Sequence, residues 1–157
     1  MKAVILDNDP LSLSLLANTL HHSGYEVLTY SNPMACPLYS HKACPCKIDL
    51  SCPSIIISAY NMPVVNGVEF IEALRRNGCR SAHIALLSSH MIPMEMLERA
   101  SKMDVKFFAK PLHRSQIEDW LNRMKFHPLP KRKPRVTDAP LPVKDHSHHA
   151  VKPTAPH

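Results

Sequence analysis

The sequence predicts an α/β fold: a doubly wound, five-stranded parallel sheet between two layers of helices. Short apolar runs of strand length alternate five times with segments whose apolar residues recur at helical spacing. This alternation favours right-handed crossovers and a parallel sheet covered on both faces. A length of 157 residues with 45% hydrophobic content suits one domain with a buried core.

The first three elements are predicted from a strand-length run and a capped helix. Residues 2–6 form the first strand, and Asp9 with Pro10 supplies an N-cap and a first-turn proline. The helix that follows should end near Gly24, and residues 25–30 should form the second strand. The inward stripe of this helix is predicted to be Leu13, Leu16, Ala17 and Leu20.

The later elements follow the same alternation. Residues 54–58 read as a third strand buried on both faces, because three isoleucines follow one another. The last helix should begin with a capping box formed by Ser115 and Glu118. The remaining elements are a helix at 67–77, a strand at about 82–87, a helix at about 93–102 and a strand at about 105–108. The inward residues of the two longer helices are predicted to be Phe70, Ile71 and Leu74, and Ile117, Trp120, Leu121 and Met124.

The fold prediction places several chemically distinct side chains at one edge of the sheet. In a doubly wound sheet, the binding site lies beyond the carboxyl ends of the strands. The positions at these ends are Asp7, Asn8, Ala59, Ser88 and Lys110. The topology alone therefore predicts that these five positions share one cleft.

Four segments resemble the landmarks of a response-regulator receiver domain of the chemotaxis-regulator kind. They are residues 4–10 (VILDNDP), 55–63 (IIISAYNMP), 84–89 (IALLSS) and 107–112 (FFAKPL). The resemblance covers residues 1–126 and implies a flavodoxin-like three-layer sandwich. It also implies a cis bond before Pro111, since that peptide bond is commonly cis in the family.

The resemblance assigns roles to the positions of the cleft. The family places its phosphoacceptor aspartate four residues before the Met-Pro proline, and that position is Ala59. The cleft would then comprise Asp7 and Asn8 at the acidic pair, with Asp9 and Asn61 nearby, Ser88 as the hydroxyl, Lys110 as the cation and Phe107 as the switch aromatic.

Two departures from the family pattern predict that phosphotransfer chemistry is lost. The methyl group of Ala59 cannot attack phosphorus or hold Mg²⁺, and Asn8 replaces a carboxylate that would ligate the metal. We expect no Mg²⁺ cofactor, no phosphorylation and no enzymatic activity, with Lys110 paired to Asp7. Ser58 is not expected to substitute, because successive strand residues point to opposite faces.

A cysteine-rich insertion is predicted at about residues 31–53. Its four prolines argue against a regular helix. Its cysteines are Cys36, Cys44, Cys46 and Cys52, with His41 as a further candidate ligand. Three interpretations remain open: a zinc or iron–sulfur site, a thiol–disulfide redox switch, and unligated packing cysteines. Cys79, which follows Asn77 and Gly78, is expected to be a buried or idle thiol.

Residues 127–157 are predicted to form a disordered basic tail rich in proline and histidine. The chain carries a formal net charge of +6, and the tail holds 6 Lys+Arg against 2 Asp+Glu. The run at 131–135 and the histidines at 146, 148 and 149 offer non-specific nucleic-acid or metal contacts. With no membrane-length apolar run and no signal peptide, we expect a cytoplasmic protein.

Three functions are consistent with the sequence. The first is a stand-alone receiver module in two-component-type signalling that binds a protein partner without phosphorylation. The second is a metal-binding or redox sensor that uses the cysteine insertion. The third and weaker one is a nucleic-acid-associated protein that uses its basic tail. The sequence leaves the oligomeric state open.

Overall fold

The computed structural model describes residues 1–40 and 52–126. Within them, five parallel strands form one sheet in the order β2-β1-β3-β4-β5. The strands are β1 (Lys2–Leu6), β2 (Glu26–Tyr30), β3 (Ile55–Ala59), β4 (His83–Ser88) and β5 (Val105–Ala109). The helices are α1 (Pro10–His22), α2 (Pro37–Ser40), α3 (Gly67–Arg76), α4 (Met94–Ser101) and α5 (Arg114–Phe126). The predicted α/β fold is confirmed, with strand boundaries within one residue of those expected.

Each face of the sheet packs against its own set of helices. On one face, Ile55 and Ile57 of β3 join the buried residues of α1 and α5. On the other face, Ile56 joins the buried residues of α2, α3 and α4. All five residues of β3 are buried, which confirms that this strand is covered on both faces. The three predicted helical stripes all lie in these two cores.

The helix starts show one confirmed cap and one corrected cap. The Asp9 side chain accepts a hydrogen bond from Leu11 N at the start of α1, as predicted. The predicted capping box of Ser115 and Glu118 is wrong, because α5 begins at Arg114. Glu118 instead lies 2.6 Å from Arg114 Nε, one helical turn away, and the N–H of His113 donates to Gln116 Oε1.

The connection that follows β2 contains no long helix in its described part. A 3₁₀ turn spans Pro33–Ala35, and α2 comprises only four residues. For residues 33–40, this confirms the prediction that the prolines prevent a regular helix. The rest of the predicted insertion, residues 41–51, lies outside the described residues, as does the predicted tail at 127–157.

Candidate functional site

The strand register brings the predicted cleft residues to the carboxyl edge of the sheet. Leu6 is paired with Ser58, so Asp7 follows beside Ala59. Ser88 is paired with Ala109, so Lys110 follows beside Ser88. The backbone N–H of Lys110 donates to Ser88 O at 2.8 Å, which extends this pairing past the strand end. The cleft predicted from topology is therefore present.

A buried ion pair joins the first and last strands of this cleft. The Asp7 side chain is fully buried, and its Oδ2 lies 2.7 Å from Lys110 Nζ. Asp7 Oδ1 accepts a hydrogen bond from the N–H of Asp9 at 3.0 Å. The predicted pairing of Lys110 with Asp7 is confirmed, and the Lys110–Pro111 bond is cis. The ammonium group supplies the counter-charge that a buried carboxylate requires.

The second carboxylate near the cleft, that of Asp9, caps the start of helix α1. Asp9 Oδ2 accepts a hydrogen bond from Ser12 Oγ at 2.8 Å, and Oδ1 accepts one from Leu11 N at 3.1 Å. These bonds, the one from Ser12 foremost, lower the pKa of Asp9 below its usual value. Asn8, between the two carboxylates, is exposed and carries no charge.

Ala59 is enclosed by the start of α3. It is only 2% exposed, and Gly67 approaches it so closely that a Cβ on Gly67 would lie 2.3 Å from Ala59 O. The same Cβ would lie 2.5 Å from Leu86 Cδ1. Only glycine fits there, because real Cβ atoms do not approach other heavy atoms this closely. The end of β3 is thereby fixed against α3.

Both hydroxyl groups of the cleft region make local hydrogen bonds to the backbone. Ser88 Oγ donates to His90 O at 2.7 Å and accepts from His90 N at 3.2 Å. Ser58 is fully buried, and its Oγ donates to Ala59 O at 3.0 Å. Each hydroxyl therefore donates its proton to a nearby carbonyl oxygen.

The donor set at this edge does not fit a Mg²⁺ ion. The metal prefers several carboxylate or water oxygens in octahedral geometry. Both oxygens of Asp7 and both of Asp9 already have partners, and position 59 offers only a methyl group. Asn61 is exposed.

One residue of the loop after β3 adopts an unfavourable backbone conformation. Val64 has φ 73°, in the left-handed region, and its side chain is 85% exposed. A β-branched residue is disfavoured in this region because its Cβ substituents crowd the backbone. The loop that borders the cleft therefore stores strain at Val64, a feature that the sequence alone did not indicate.

The predicted switch aromatic borders an open groove between β5 and α5. Phe107 is partly buried against the core beneath α3 and α4. The groove has a volume of about 410 Å³. Its other lining includes Trp120, whose ring meets that of Phe108 edge to face at 5.6 Å, and Arg123. Because β5 is an edge strand of the sheet within residues 1–40 and 52–126, the groove combines aromatic and cationic side chains with the edge of the sheet.

The described cysteines do not form the predicted metal site. Cys52 is disulfide-bonded, and Cys36 is a free thiol that is fully buried. Burial raises the pKa of Cys36, which disfavours the thiolate that a metal needs. Among residues 1–40 and 52–126, no three potential ligands are grouped to hold a metal. His41, Cys44 and Cys46 lie outside these ranges.

Cys79 is a buried free thiol, as expected. It is buried in the turn between α3 and β4, and its Sγ lies 3.4 Å from Ser81 Oγ. The next residue, Arg80, donates its N–H to Cys52 Sγ at 3.3 Å. The Arg75 side chain holds this turn by donating to the carbonyls of Cys79 and Ser81, both at 3.0 Å. The cysteines therefore gather at the amino ends of β3 and β4, opposite the cleft.

A family model for the response regulator receiver domain matches residues 3–122. The chain belongs to this family.

Solved structures agree on the fold. The chemotaxis protein CheY4 of Vibrio cholerae is 24% identical, with a TM-score of 0.59 over 78% of this chain and 96% of that one. The receiver domain of a histidine kinase from Syntrophus aciditrophicus is 20% identical, with a TM-score of 0.61 over 88% of this chain and 98% of that one. The N-terminal domain of a Wolinella succinogenes protein is 18% identical, with a TM-score of 0.63 over 80% of this chain and 94% of that one. No curated protein matches.

Receiver domains work in two-component signalling, where they interact with kinases or other signalling proteins. No helix in the described part of this chain has both the length and the apolar character needed to cross a membrane.

Proposed function

We propose that this receiver domain signals by binding a protein partner and is not itself phosphorylated. The observation that carries the proposal is the buried methyl group of Ala59 at the acceptor position. The Asp7–Lys110 pair beside it supports the same proposal, because it neutralises the charge that would otherwise attract a metal.

Loss of phosphotransfer leaves the surface of the domain as its means of action. The groove between β5 and α5 supports partner binding there, since aromatic and arginine side chains are enriched at protein interfaces. The proposed surface comprises α4, β5 and the adjoining face of α5. A partner would bind it in the same way with or without a phosphoryl donor.

The direct test is intact-mass measurement after incubation with acetyl phosphate and Mg²⁺. We expect no change in mass for the native chain, whereas a gain of one phosphoryl group would contradict the proposal. Ala59→Asp alone should remain poorly labelled, because Asn8 still lacks the second carboxylate. The matched variant, Ala59→Asp with Asn8→Asp, should label much more efficiently than the single one.

Partner binding is tested by cross-linking to host proteins, with and without acetyl phosphate. The proposal expects the same proteins to be captured in both conditions and to be lost with Phe107→Asp. Glu26→Lys, at an exposed position of β2 on the opposite edge of the sheet, serves as a control for a change of charge. A partner captured only with acetyl phosphate would contradict the proposal.

A second candidate is a sensor that uses the cysteines. The disulfide at Cys52, beside the turn that carries Cys79, favours thiol–disulfide chemistry over metal binding. A zinc or iron–sulfur site involving Cys44, Cys46 and His41 stays a prediction, which the metal content of protein purified without chelator tests. Nucleic-acid binding by the tail also stays a prediction.

A further inference from the structure

The groove beside α5 is formed by the outer edge of strand β5. Its lining includes four consecutive residues of this strand, from Lys106 to Ala109. Successive side chains of a strand point to opposite faces, so four consecutive residues line one groove only where the backbone edge itself forms the wall. The opposite wall is one face of α5, made by residues at i, i+3, i+4 and i+7: Gln116, Asp119, Trp120 and Arg123. An extended chain in this groove would lie alongside β5.

The pairing of β5 with β4 shows which backbone groups face the groove. Lys110 N donates to Ser88 O at 2.8 Å, so the backbone of residue 110 points toward β4. The backbone groups of successive strand residues point alternately to the two sides of the strand, so every second residue before Lys110 also points toward β4. Within residues 1–40 and 52–126 no strand lies beyond β5. The N–H and C=O groups of Phe107 and Ala109 are therefore directed away from the sheet.

The groove combines an aromatic floor with a positively charged rim. Among the described residues that line it, Lys106 and Arg123 are exposed cations and Asp119 is the acidic residue. Lys106 Nζ lies 5.6 Å from the centre of the Phe108 ring, and this ring meets Trp120 edge to face. Because the cations outnumber the acid, the groove suits an extended segment that alternates acidic and apolar residues.

Two other occupants suit this edge less well. The chain's own residues 127–157 hold 6 Lys+Arg against 2 Asp+Glu, and their seven prolines have no N–H to donate. A second copy would bring the same excess of positive charge to the groove. The charge of the groove therefore favours a segment of a different protein.

We infer that β5 receives an extended, acidic segment of a partner protein as an additional strand of the sheet. The segment pairs with the outward N–H and C=O groups of Phe107 and Ala109. Its acidic side chains meet the two cations of the rim, and its apolar side chains meet the aromatic pair. In this mode the main-chain bonds supply affinity and the side chains supply specificity. This inference rests on the proposed function, because it names the chemistry of the partner at the surface proposed there.

Backbone NMR on the full chain tests the pairing, with the synthetic peptide acetyl-EVEVEVE-amide as the probe. In the free chain, the amides of Phe107 and Ala109 should exchange with solvent faster than that of Phe108, which points toward β4. Saturating peptide should slow exchange at Phe107 and Ala109 by at least about tenfold and leave Phe108 almost unchanged.

Three results of this experiment would contradict the inference. The first is slow exchange at Phe107 and Ala109 in the free chain, because the edge would then already be covered. If that protection depends on protein concentration, a second copy covers the edge, and otherwise the chain's own tail does. The second is the absence of shift changes at about 1 mM peptide. The third is protection confined to residues outside β5.

A proline at the edge isolates the contribution of one main-chain bond. Ala109→Pro removes an outward N–H, and prolines are accepted at edge positions whose N–H does not pair with the sheet. It should weaken binding of the peptide about fivefold, the loss expected for one hydrogen bond. Ala109→Ser keeps the N–H and should bind like the native chain. Thermal melts check folding, and if Ala109→Pro is unfolded, the exchange pattern of the native chain decides.

Charge variants test the choice of an acidic partner. Arg123→Glu should weaken binding of the acidic peptide about fivefold. The matched control is Lys125→Glu, which makes the same change at an exposed position of α5 outside the groove lining and should have little effect. The peptide acetyl-KVKVKVK-amide should bind at least about tenfold more weakly than the acidic one. Equal affinities of the two peptides would contradict an acidic partner.

Failure of this inference and failure of the proposed function have separate readouts. Capture of a partner with and without acetyl phosphate reports its dependence on phosphorylation, whereas Ala109→Pro against Ala109→Ser reports strand pairing. A partner captured equally in both conditions and by both variants would contradict strand addition alone. A partner captured only with acetyl phosphate, and lost in Ala109→Pro, would contradict the proposed function alone.

Discussion

The two ends of the parallel sheet differ in what chemistry they carry. At the carboxyl ends, Ala59 is a methyl group and the Asp7 carboxylate is neutralised by Lys110. At the amino ends, Cys52 and Cys79 bring a disulfide and a free thiol to adjoining segments. The chain has the fold of a receiver, but its reactive groups lie at the amino ends of the strands. Receivers carry out phosphotransfer at the carboxyl ends.

The largest expected effect concerns the buried ion pair at the carboxyl end. Lys110→Met should lower the free energy of unfolding by about 3 kcal/mol, because it leaves the Asp7 carboxylate buried without a counter-charge. Chemical denaturation measures this loss. Lys106→Met on the same strand, at an exposed position, should cost less than about 1 kcal/mol.

A double variant tests whether the loss of stability arises from the interaction between Asp7 and Lys110. Asp7→Asn combined with Lys110→Met removes both charges, so its loss should be smaller than the sum of the two single losses. Strict additivity would mean that the two groups do not interact, and would remove the basis for a neutralised cleft.

The next effect lies at the amino end. Arg75→Met should lower the free energy of unfolding by about 2 kcal/mol, because two backbone carbonyls of the Cys79 turn lose a charged donor. The adjacent exposed Arg76→Met should change it by less than about 0.5 kcal/mol. Equal effects in urea titrations would show that the turn is not held by Arg75. Alkylation of Cys79 should also be faster in Arg75→Met.

The third prediction is a gain in stability beside the cleft. Val64→Asn should raise the free energy of unfolding by about 1 kcal/mol, since asparagine tolerates a positive φ better than valine. Val64→Thr keeps the β-branch and removes the apolar exposure, so it should give little gain. A gain of equal size in both variants would assign the effect to exposure instead of backbone strain.

The smallest expected effect is a pH dependence at the amino end of β4. Burial lowers the pKa of His83 below 6.5, and the charge of Asp104 only partly opposes this. The unfolded chain then binds more protons than the folded one below about pH 6.5, so stability should fall as pH falls from there toward the folded pKa. Thermal melts between pH 5 and 8 on the native chain and His83→Gln measure this, and the variant should give the flatter profile.

The sequence predicted the features that are set by strand order and short motifs. The placement of Asp7 beside Lys110 followed from parallel strands that end at one edge, and the burial of β3 followed from its isoleucines. The start of α5 was misjudged by two residues, because the helix begins at Arg114 and it is Gln116 Oε1 that accepts from the N–H of His113.

The contacts of Cys79 could not be predicted from the sequence. Cys79 and Cys52 are brought together only after β3, α3 and the return to β4 have been packed, and no local pattern encodes that contact. The hydroxyl of Ser88 was placed correctly at a strand end, but its bonds to His90 depend on the turn that follows. The positive φ of Val64 likewise could not be predicted, because it runs against the local preference of valine.

The contact between Arg80 N and Cys52 Sγ joins positions that are 28 residues apart in the chain. Ser81 Oγ, which donates to Pro53 O at 2.7 Å, makes a second contact across the same separation, so the starts of β3 and β4 are joined only when α3 between them is in place. Amide hydrogen exchange at Arg80 should therefore report the opening of this whole β3–α3–β4 unit and not the local fraying of one turn.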